Sequence, residues 1–184
     1  PYMREDKLYL IGVVSDVSNL YDLILKEKEK NMKDTFTGCY NKNGFKELCQ
    51  KFLDKNPRPS YAFIMIDLDD FKAINDNFGH DTGDRVLLET VKQLREFFPR
   101  PSLIGRFGGD EFMVLCPFSQ KELLEETINH FMECTIPPYS VKKSVGYTFI
   151  PDDKIDYEEI IKTADKALYT AKQKKNCAVF SSIS

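Results

Sequence analysis

Asp110 and Glu111 are two adjacent carboxylates that directly follow a pair of glycines, Gly108 and Gly109. Apolar runs flank this tetrapeptide, which predicts two β-strands joined by a tight hairpin, with both glycines at the turn positions because glycine tolerates positive φ. Without Cβ atoms, the glycines also let a bulky ligand lie against the backbone. Carboxylates at such a tip suit a hard divalent cation that sits beside phosphates. The alternative is that both are simply solvated, as acidic turn residues usually are.

A second acidic cluster follows an unbroken apolar run, residues 61–66, which predicts a strand buried on both faces. The run ends at Asp67, and Asp69 and Asp70 come just before a helical pattern. The end of a buried strand beside a helix N-terminus favours a metal and an anion together. Asp67, at the edge of the strand, is the better metal ligand. For Asp69 and Asp70 the alternative is N-capping, which we expect of at least one of them.

The helix that follows is predicted to carry Phe71, Ile74 and Phe78 on one face and Lys72 and Asn75 on another. The segment is not an EF-hand, because the ligand and glycine positions of that loop hold apolar and basic residues here. The chain also contains no Walker-type phosphate loop. A nucleoside triphosphate would therefore bind in another way.

Asp84 lies in a glycine-punctuated segment, residues 77–84, which we predict to be a loop before a further amphipathic helix. An aspartate accepts two hydrogen bonds from guanine N1–H and N2–H₂, and an asparagine such as Asn75 both donates and accepts. Adenine lacks the N2 amine, so this pair would reject it. The alternative for Asp84 is a helix cap.

Six segments of the sequence carry a family resemblance. In order they are DTFTGCYN (34–41), IDLDDFKAIND (66–76), GHDTGD (79–84), RFGGDEF (106–112), SVG (144–146) and ADKALYTAK (164–172). Together they closely resemble the GGDEF family of diguanylate cyclases, from about residue 34 to the C-terminus. The resemblance implies an α+β fold with a central, mostly antiparallel sheet flanked by helices, related to the palm of nucleotide cyclases and polymerases.

The resemblance also implies a reaction, the condensation of two GTP molecules into cyclic di-GMP with release of two pyrophosphates. Mg²⁺ (or Mn²⁺) is expected at Asp67, the Leu68 carbonyl and Asp110, with Glu111 as ligand of a second metal or as general base. Catalysis is expected to involve Asp110, Glu111 and Lys72. The residues implied in substrate binding, through guanine, phosphates or close backbone approach, are Asn75, Asp84, Asp70, Phe71, Lys72, Gly108, Gly109 and Lys172.

One domain holds one GTP, so two half-sites must face each other, and a homodimer is expected to be needed for catalysis. Residues 34–184 are predicted to form the GGDEF domain and residues 1–33 an N-terminal extension. Within that extension, residues 7–17 resemble the last strand of a PAS sensor domain. Val17, Leu20 and Ile24 then have heptad-compatible spacing, typical of a signalling helix or of a solvated linker helix. The chain opens at Pro1 without an initiator Met and is interpreted as a fragment. The resemblance to a PAS strand leads us to expect an upstream sensor domain in the full-length protein.

Two departures from the family pattern stand out. Pro99 and Ser102 occupy the places of the Arg-x-x-Asp motif for product inhibition, so feedback through that site is not expected. The usual Gly-Arg-Asn string after the last helix is also absent. Lys174 or Lys175 is a candidate replacement for its arginine as a phosphate contact; the alternative is that both are solvated charges at a helix C-terminus.

Composition agrees with one domain plus an extension: 184 residues, 42% of them hydrophobic. The net charge of −3 gives no nucleic-acid footprint, and the cluster Lys142-Lys143 suits phosphate groups better than a duplex. Five cysteines without metal spacing fit reduced thiols and a cytoplasmic location. No apolar run of about eighteen residues appears, so no membrane segment is expected in this stretch.

Three functions remain to be compared. The first is an active diguanylate cyclase, which the complete set of carboxylates favours. The second is a catalytically silent GTP-binding module with a regulatory or interaction role. The third is a cyclase that makes an adenine-containing dinucleotide, against which Asp84 argues.

Overall fold

The computed structural model describes residues 22–23, 27–55, 59–151 and 156–183. The predicted PAS-like strand and the heptad positions Val17, Leu20 and Ile24 lie outside these residues, and residues 27–31 are helical. The elements that follow are β1 (Tyr40–Asn41), α1 (Lys42–Leu53), β2 (Tyr61–Leu68), α2 (Phe71–Phe78), α3 (His80–Phe97), β3 (Leu103–Gly108), β4 (Glu111–Pro117), α4 (Lys121–Glu133), β5 (Lys143–Ile150), α5 (Tyr157–Lys174) and β6 (Ala178–Phe180).

The six strands form one sheet in the order β1-β3-β4-β2-β5-β6. The four inner strands pair antiparallel, while the short edge strands β1 and β6 pair parallel to β3 and β5. Helices pack on both faces of this sheet. The predicted α+β fold with a mostly antiparallel sheet is therefore confirmed.

β2 is buried on both faces because it lies at the centre of the sheet. Ala62, Ile64 and Ile66 belong to the core under α3 and α4, whereas Phe63 and Met65 belong to the core under α1 and α5. Alternate side chains of a strand point to opposite faces, so an unbroken apolar run is what a strand between two helical layers requires. This packing fixes the position of the strand end that carries the acidic cluster.

The end of α2 differs from the sequence prediction. Phe78, the last residue of the helix, is 57% exposed, and its ring contacts that of Tyr139 at a centroid distance of 5.1 Å. The predicted loop over residues 77–84 shrinks to Gly79, whose φ of 85° ends α2 and allows α3 to begin at once at His80. Asp84 therefore lies one turn inside α3, and its alternative role as a helix cap is also wrong.

Lys143 is not available to a phosphate, contrary to the prediction for the Lys142-Lys143 cluster. Its side chain is completely buried, and its ammonium donates to the carbonyls of Phe131 (3.1 Å) and Cys134 at the end of α4. It also lies 4.8 Å from the centroid of the Phe131 ring. Because the last carbonyls of a helix lack partners within the helix, Lys143 acts as a buried C-terminal cap.

We expect Lys143→Met to lower the free energy of unfolding by about 1–3 kcal/mol at neutral pH, because two carbonyls lose their donor. Burial lowers the pKa of Lys143 below its ordinary value of 10.5. At neutral pH the buried ammonium therefore lowers the free energy of unfolding. This destabilisation disappears as the pH rises towards 10.5, because Lys143 loses its proton in the folded protein first. Relative to the variant, the wild-type protein should gain stability over this window.

Urea denaturation of both proteins from neutral pH to about pH 10 measures the difference. The exposed neighbour offers a matched control, Lys142→Met, which should change little. A Lys143→Met protein with the stability and the pH dependence of the wild type would contradict this assignment.

Candidate active site

The acidic residues of β2 and of the β3–β4 hairpin lie on neighbouring strands at one edge of the fold. Asp67 and Glu111 are direct register partners of the antiparallel pair β2–β4. Side chains directly opposite each other in such a pair lie on the same face of the sheet, with Cβ atoms about 4.5–5.5 Å apart. The residue that faces Asp67 across the strands is thus Glu111, which the sequence ranked below Asp110.

The hairpin turn lies one residue later than predicted. Gly108 belongs to β3 and pairs with Glu111, so the two turn residues are Gly109 and Asp110 rather than the two glycines. Gly109 has a φ of 45°, and the strand register shifts between Arg106 and Gly108. Because of this turn, the two adjacent acidic residues do not alternate along one strand: Glu111 starts β4, whereas Asp110 belongs to the turn.

Burial and neighbouring charges raise the pKa of two of these carboxylates, Asp67 and Asp110. Burial raises the pKa of Asp67, and the charges of Asp110 and Glu111 add to the rise while Lys172 opposes it. Burial likewise raises the pKa of Asp110, with a further contribution from Glu111. Three interacting acidic groups at the edge of a sheet create a strong demand for positive charge.

Lys172 meets part of this demand from the last turns of α5. Its ammonium lies 2.7 Å from Asp67 Oδ2 and 3.1 Å from Glu111 Oε1. Partial burial by itself lowers the pKa of Lys172, but the hydrogen bonds to the two carboxylates more than offset this and raise it. The sequence placed Lys172 on substrate phosphates and gave no sign of these partners.

The donor set at this edge fits a divalent cation. No group of three or more His, Cys, Asp or Glu side chains within the described ranges is arranged to enclose a metal. Carboxylates are nevertheless the ligands that Mg²⁺ prefers, and such an ion binds through one or two of them and keeps waters and phosphate oxygens in its remaining positions. The Asp67–Glu111 pair already accommodates an ammonium, and Asp110 and the Leu68 carbonyl are the further oxygen donors expected beside it.

The turn between β2 and α2 is held by its two aspartates, neither of which caps the helix with its side chain. The buried carboxylate of Asp69 accepts from the Ser144 hydroxyl (2.7 Å) and from the Asn176 backbone N–H (2.8 Å). Asp70 occupies the N-cap position with a φ of 58°, but its carboxylate accepts from Lys175 Nζ at 2.6 and 2.8 Å instead. The capping prediction is therefore wrong, because both side chains are committed to the segment after α5.

Asn75 and Asp84 lie close together where α2 crosses α3. A Cβ built on Gly83 would come within 2.0 Å of Asn75 Oδ1, so the amide rests directly against the residue before Asp84. Asn75 is half-buried and Asp84 is exposed. The Asn75 amide is thus a neighbour of the helical turn that carries Asp84, and Gly83 supplies the space that this contact needs.

The other predicted substrate residues surround this edge. Phe71 is half-buried against the core, and Lys72 is exposed on α2. Around both Gly108 and Gly109, an added Cβ would meet no atom within 4 Å, so the hairpin tip borders open space. The open space at the hairpin tip would let a ligand approach the backbone of both glycines.

Residues 31–177 match the sequence profile of the family described as Diguanylate cyclase, GGDEF domain. The chain belongs to the GGDEF family.

The curated relatives of this GGDEF domain include one named as a diguanylate cyclase and one named as a phosphodiesterase. It is 33% identical over 150 residues to the Probable diguanylate cyclase DgcC of Escherichia coli K12, which covers 77% of this chain and 40% of that protein. It is 29% identical over 147 residues to the Cyclic di-GMP phosphodiesterase PdeR of the same strain, which covers 76% of this chain and 22% of that protein. The chain thus spans less than half the length of these curated relatives.

A solved structure supports the fold. The coiled coil and GGDEF domain of DgcB from Caulobacter crescentus, in complex with c-di-GMP, superimposes with a TM-score of 0.80 at 18% identity. The match covers 95% of this chain and 98% of that one. Within the described residues, no helix has the length and apolar character needed to cross a membrane.

Arg106 is a site residue that sequence reasoning missed. Its guanidinium donates twice to the Gly109 carbonyl, at 2.9 and 2.6 Å, and its Nη1 lies 3.3 Å from Asp34 Oδ1. Asp34 in turn accepts from the backbone N–H (2.7 Å) and the hydroxyl (2.6 Å) of Thr37. Arg106 therefore fastens the tip of the β3–β4 hairpin to the turn at the start of the GGDEF domain. Both partners lie in quoted motifs, but nothing in the sequence pairs them.

Lys175 adopts a backbone conformation that favours glycine. It follows α5 with a φ of 55° and a ψ of 157°. This region is costly for a residue with a Cβ, typically by about 1–3 kcal/mol. The side chain compensates by its ion pair with Asp70, which is exposed and hence weak.

We expect Lys175→Gly to raise the midpoint of thermal unfolding by about 2–4 °C, because relief of the backbone strain outweighs loss of an exposed ion pair. Calorimetry or circular dichroism measures the shift. Lys174→Gly is the matched control: it removes a neighbouring charge within α5, where glycine is unfavourable, and should lower the midpoint. A lower midpoint for Lys175→Gly would show that the ion pair matters more than the strain.

Proposed function

We propose that this GGDEF domain is a diguanylate cyclase, which condenses two GTP molecules into cyclic di-GMP with release of two pyrophosphates. The observation that supports it most is the convergence of Asp67, Asp110 and Glu111 at one edge, with Lys172 between two of them. The third function considered, synthesis of an adenine-containing dinucleotide, is disfavoured by Asp84, because adenine offers no N1–H or N2–H₂ donors to its carboxylate.

In this proposal the acidic residues bind the metal, the lysines bind the phosphates, and Asn75 and Asp84 bind the base. Asp67, Asp110, Glu111 and the Leu68 carbonyl would hold Mg²⁺ or Mn²⁺, which lowers the pKa of the attacking 3′-hydroxyl and neutralises charge on the phosphates when bound. Lys72 and the first backbone N–H groups of α2 orient the triphosphate, while Lys172 stabilises the charge that grows on the departing pyrophosphate. Asn75 and Asp84 fix the base, which aligns the α-phosphorus for attack.

Two copies are needed, because the 3′-hydroxyl of one GTP must attack the α-phosphorus of another. Each copy supplies one nucleotide, and the two edges face each other in an antiparallel arrangement. An upstream sensor domain would control how often they meet. Since GTP and reduced thiols are both found in the cytoplasm, we place the domain there.

The test is to incubate the protein with GTP or ATP and Mg²⁺, and to resolve the products by chromatography over a range of protein concentrations. Cyclic di-GMP from GTP alone, at a rate per chain that rises with concentration, is the expected result. The phosphodiesterase name of a relative keeps the silent GTP-binding module as a second candidate. Tight binding of a non-hydrolysable GTP analogue without product at any concentration would favour it.

A further inference from the structure

We infer that Lys172 keeps free divalent cations out of the acidic edge, so that the metal enters only together with the nucleotide. This inference rests on the proposed function and concerns the order of binding at the same site. It begins from the position of the Lys172 ammonium, which lies between Asp67 Oδ2 and Glu111 Oε1 and within hydrogen-bonding distance of both.

The space between the two carboxylates accepts one cation. Asp67 and Glu111 are opposed across neighbouring strands, and their side chains are only 13% and 32% exposed. An ion that bridged these oxygens would take the place of the ammonium. A dication and an ammonium within a few ångströms of each other also repel strongly at a partly buried site. A metal ion that binds to both of these carboxylate oxygens therefore requires Lys172 to leave.

The free energy needed to displace the Lys172 ammonium depends on whether a nucleotide is bound. Without a nucleotide, the displaced ammonium loses two charge-assisted hydrogen bonds and gains only water. A bound triphosphate offers it new anionic oxygens close by, because α2 begins just after β2 and its N-terminal N–H groups favour phosphate beside the same edge. Lysine suits this exchange, since its charge lies at the end of a flexible stem. The nucleotide thus lowers the free energy needed to admit the metal.

Lys175 provides an internal comparison. It lies one turn further along the chain and is also paired with a carboxylate, but its partner is the exposed Asp70 rather than the Asp67–Glu111 pair. Replacing either lysine with methionine removes the same charge from the same region. Only the replacement at Lys172 removes a cation from between the two predicted ligands.

The experiment titrates Mn²⁺ into the protein without nucleotide and measures free Mn²⁺ by electron paramagnetic resonance. We expect Lys172→Met to bind Mn²⁺ at least about tenfold more tightly than wild type, and Lys175→Met to stay within about twofold of it. The double variant Lys172→Met/Asp67→Asn should lose the gain. Lys172→Gln serves as a second replacement, with circular dichroism to verify folding.

A second titration adds a non-hydrolysable GTP analogue. Wild-type protein should then bind Mn²⁺ tightly. The higher Mn²⁺ affinity of Lys172→Met over wild type should disappear, because the variant lacks the lysine that contacts the phosphates and binds the analogue less well. If both Lys172 variants fold and bind free Mn²⁺ no more tightly than Lys175→Met, the inference is overturned while the proposed function stands. If wild-type protein fails to retain Mn²⁺ even with the analogue, the proposed function itself fails.

Discussion

Asp110→Asn is expected to reduce conversion of GTP to cyclic di-GMP by about 10²–10³-fold or more, with little change in folding. The substitution keeps the shape of the side chain at the hairpin turn but removes the charge that a cation and the reacting phosphates require. Initial rates of product formation, measured by chromatography at a protein concentration that saturates the wild-type rate, give the ratio.

Asp76→Asn is a matched control, because Asp76 is an exposed aspartate on α2 outside the carboxylate cluster. It should retain wild-type activity. Turnover by Asp110→Asn within about tenfold of wild type would show that the carboxylate at the turn does not serve the reaction, and the metal assignment would have to move to Asp67 and Glu111 alone.

Asp84→Asn should lower kcat/KM for GTP by about 10²-fold, because guanine N1–H and N2–H₂ lose a charged acceptor. The same change should create activity with xanthosine triphosphate. Xanthine carries a carbonyl oxygen in place of the N2 amine, and an amide can donate to it while still accepting from N1–H. Steady-state rates with both nucleotides measure the switch.

The matched control here is Asp81→Asn, one turn earlier on α3 and equally exposed. It should leave both rates as they are in the wild type. An Asp84→Asn protein that uses GTP normally and ignores xanthosine triphosphate would remove Asp84 from guanine recognition, whereas loss of activity with both nucleotides would make its role structural.

The sequence predicted the central strand and the acidic residues at its end for a physical reason. Residues 61–66 are apolar without interruption, and only a strand between two helical layers can bury both sets of side chains. The change from apolar to acidic at Asp67 then marks the place where β2 reaches solvent. Glycines before paired carboxylates likewise marked the hairpin, whose strands the structure confirms.

Details that depend on distant partners were not predictable. The turn register was ambiguous, because Gly109 can be the second turn residue after Gly108 or the first turn residue before Asp110. The pairing of Gly108 with Glu111 selects the second arrangement. The burial of Lys143 depends on where α4 ends, and the pairing of Lys172 depends on how α5 lies across the sheet. The sequence alone does not show whether a lysine is free to bind phosphate or is already paired with groups of the same protein.

The contacts of Arg106 with Gly109 and Asp34 affect whether the hairpin could be transferred to another protein on its own. Through Arg106, the hairpin tip and a turn 72 residues earlier in the chain share one guanidinium. Grafting the GGDEF hairpin alone onto another antiparallel sheet would leave that guanidinium with half of its acceptors and the tip less firmly oriented. The smallest unit that keeps the hairpin tip anchored therefore includes two separate pieces of sequence. The first of them, with Asp34 and Thr37, contributes none of the acidic groups at the proposed metal site.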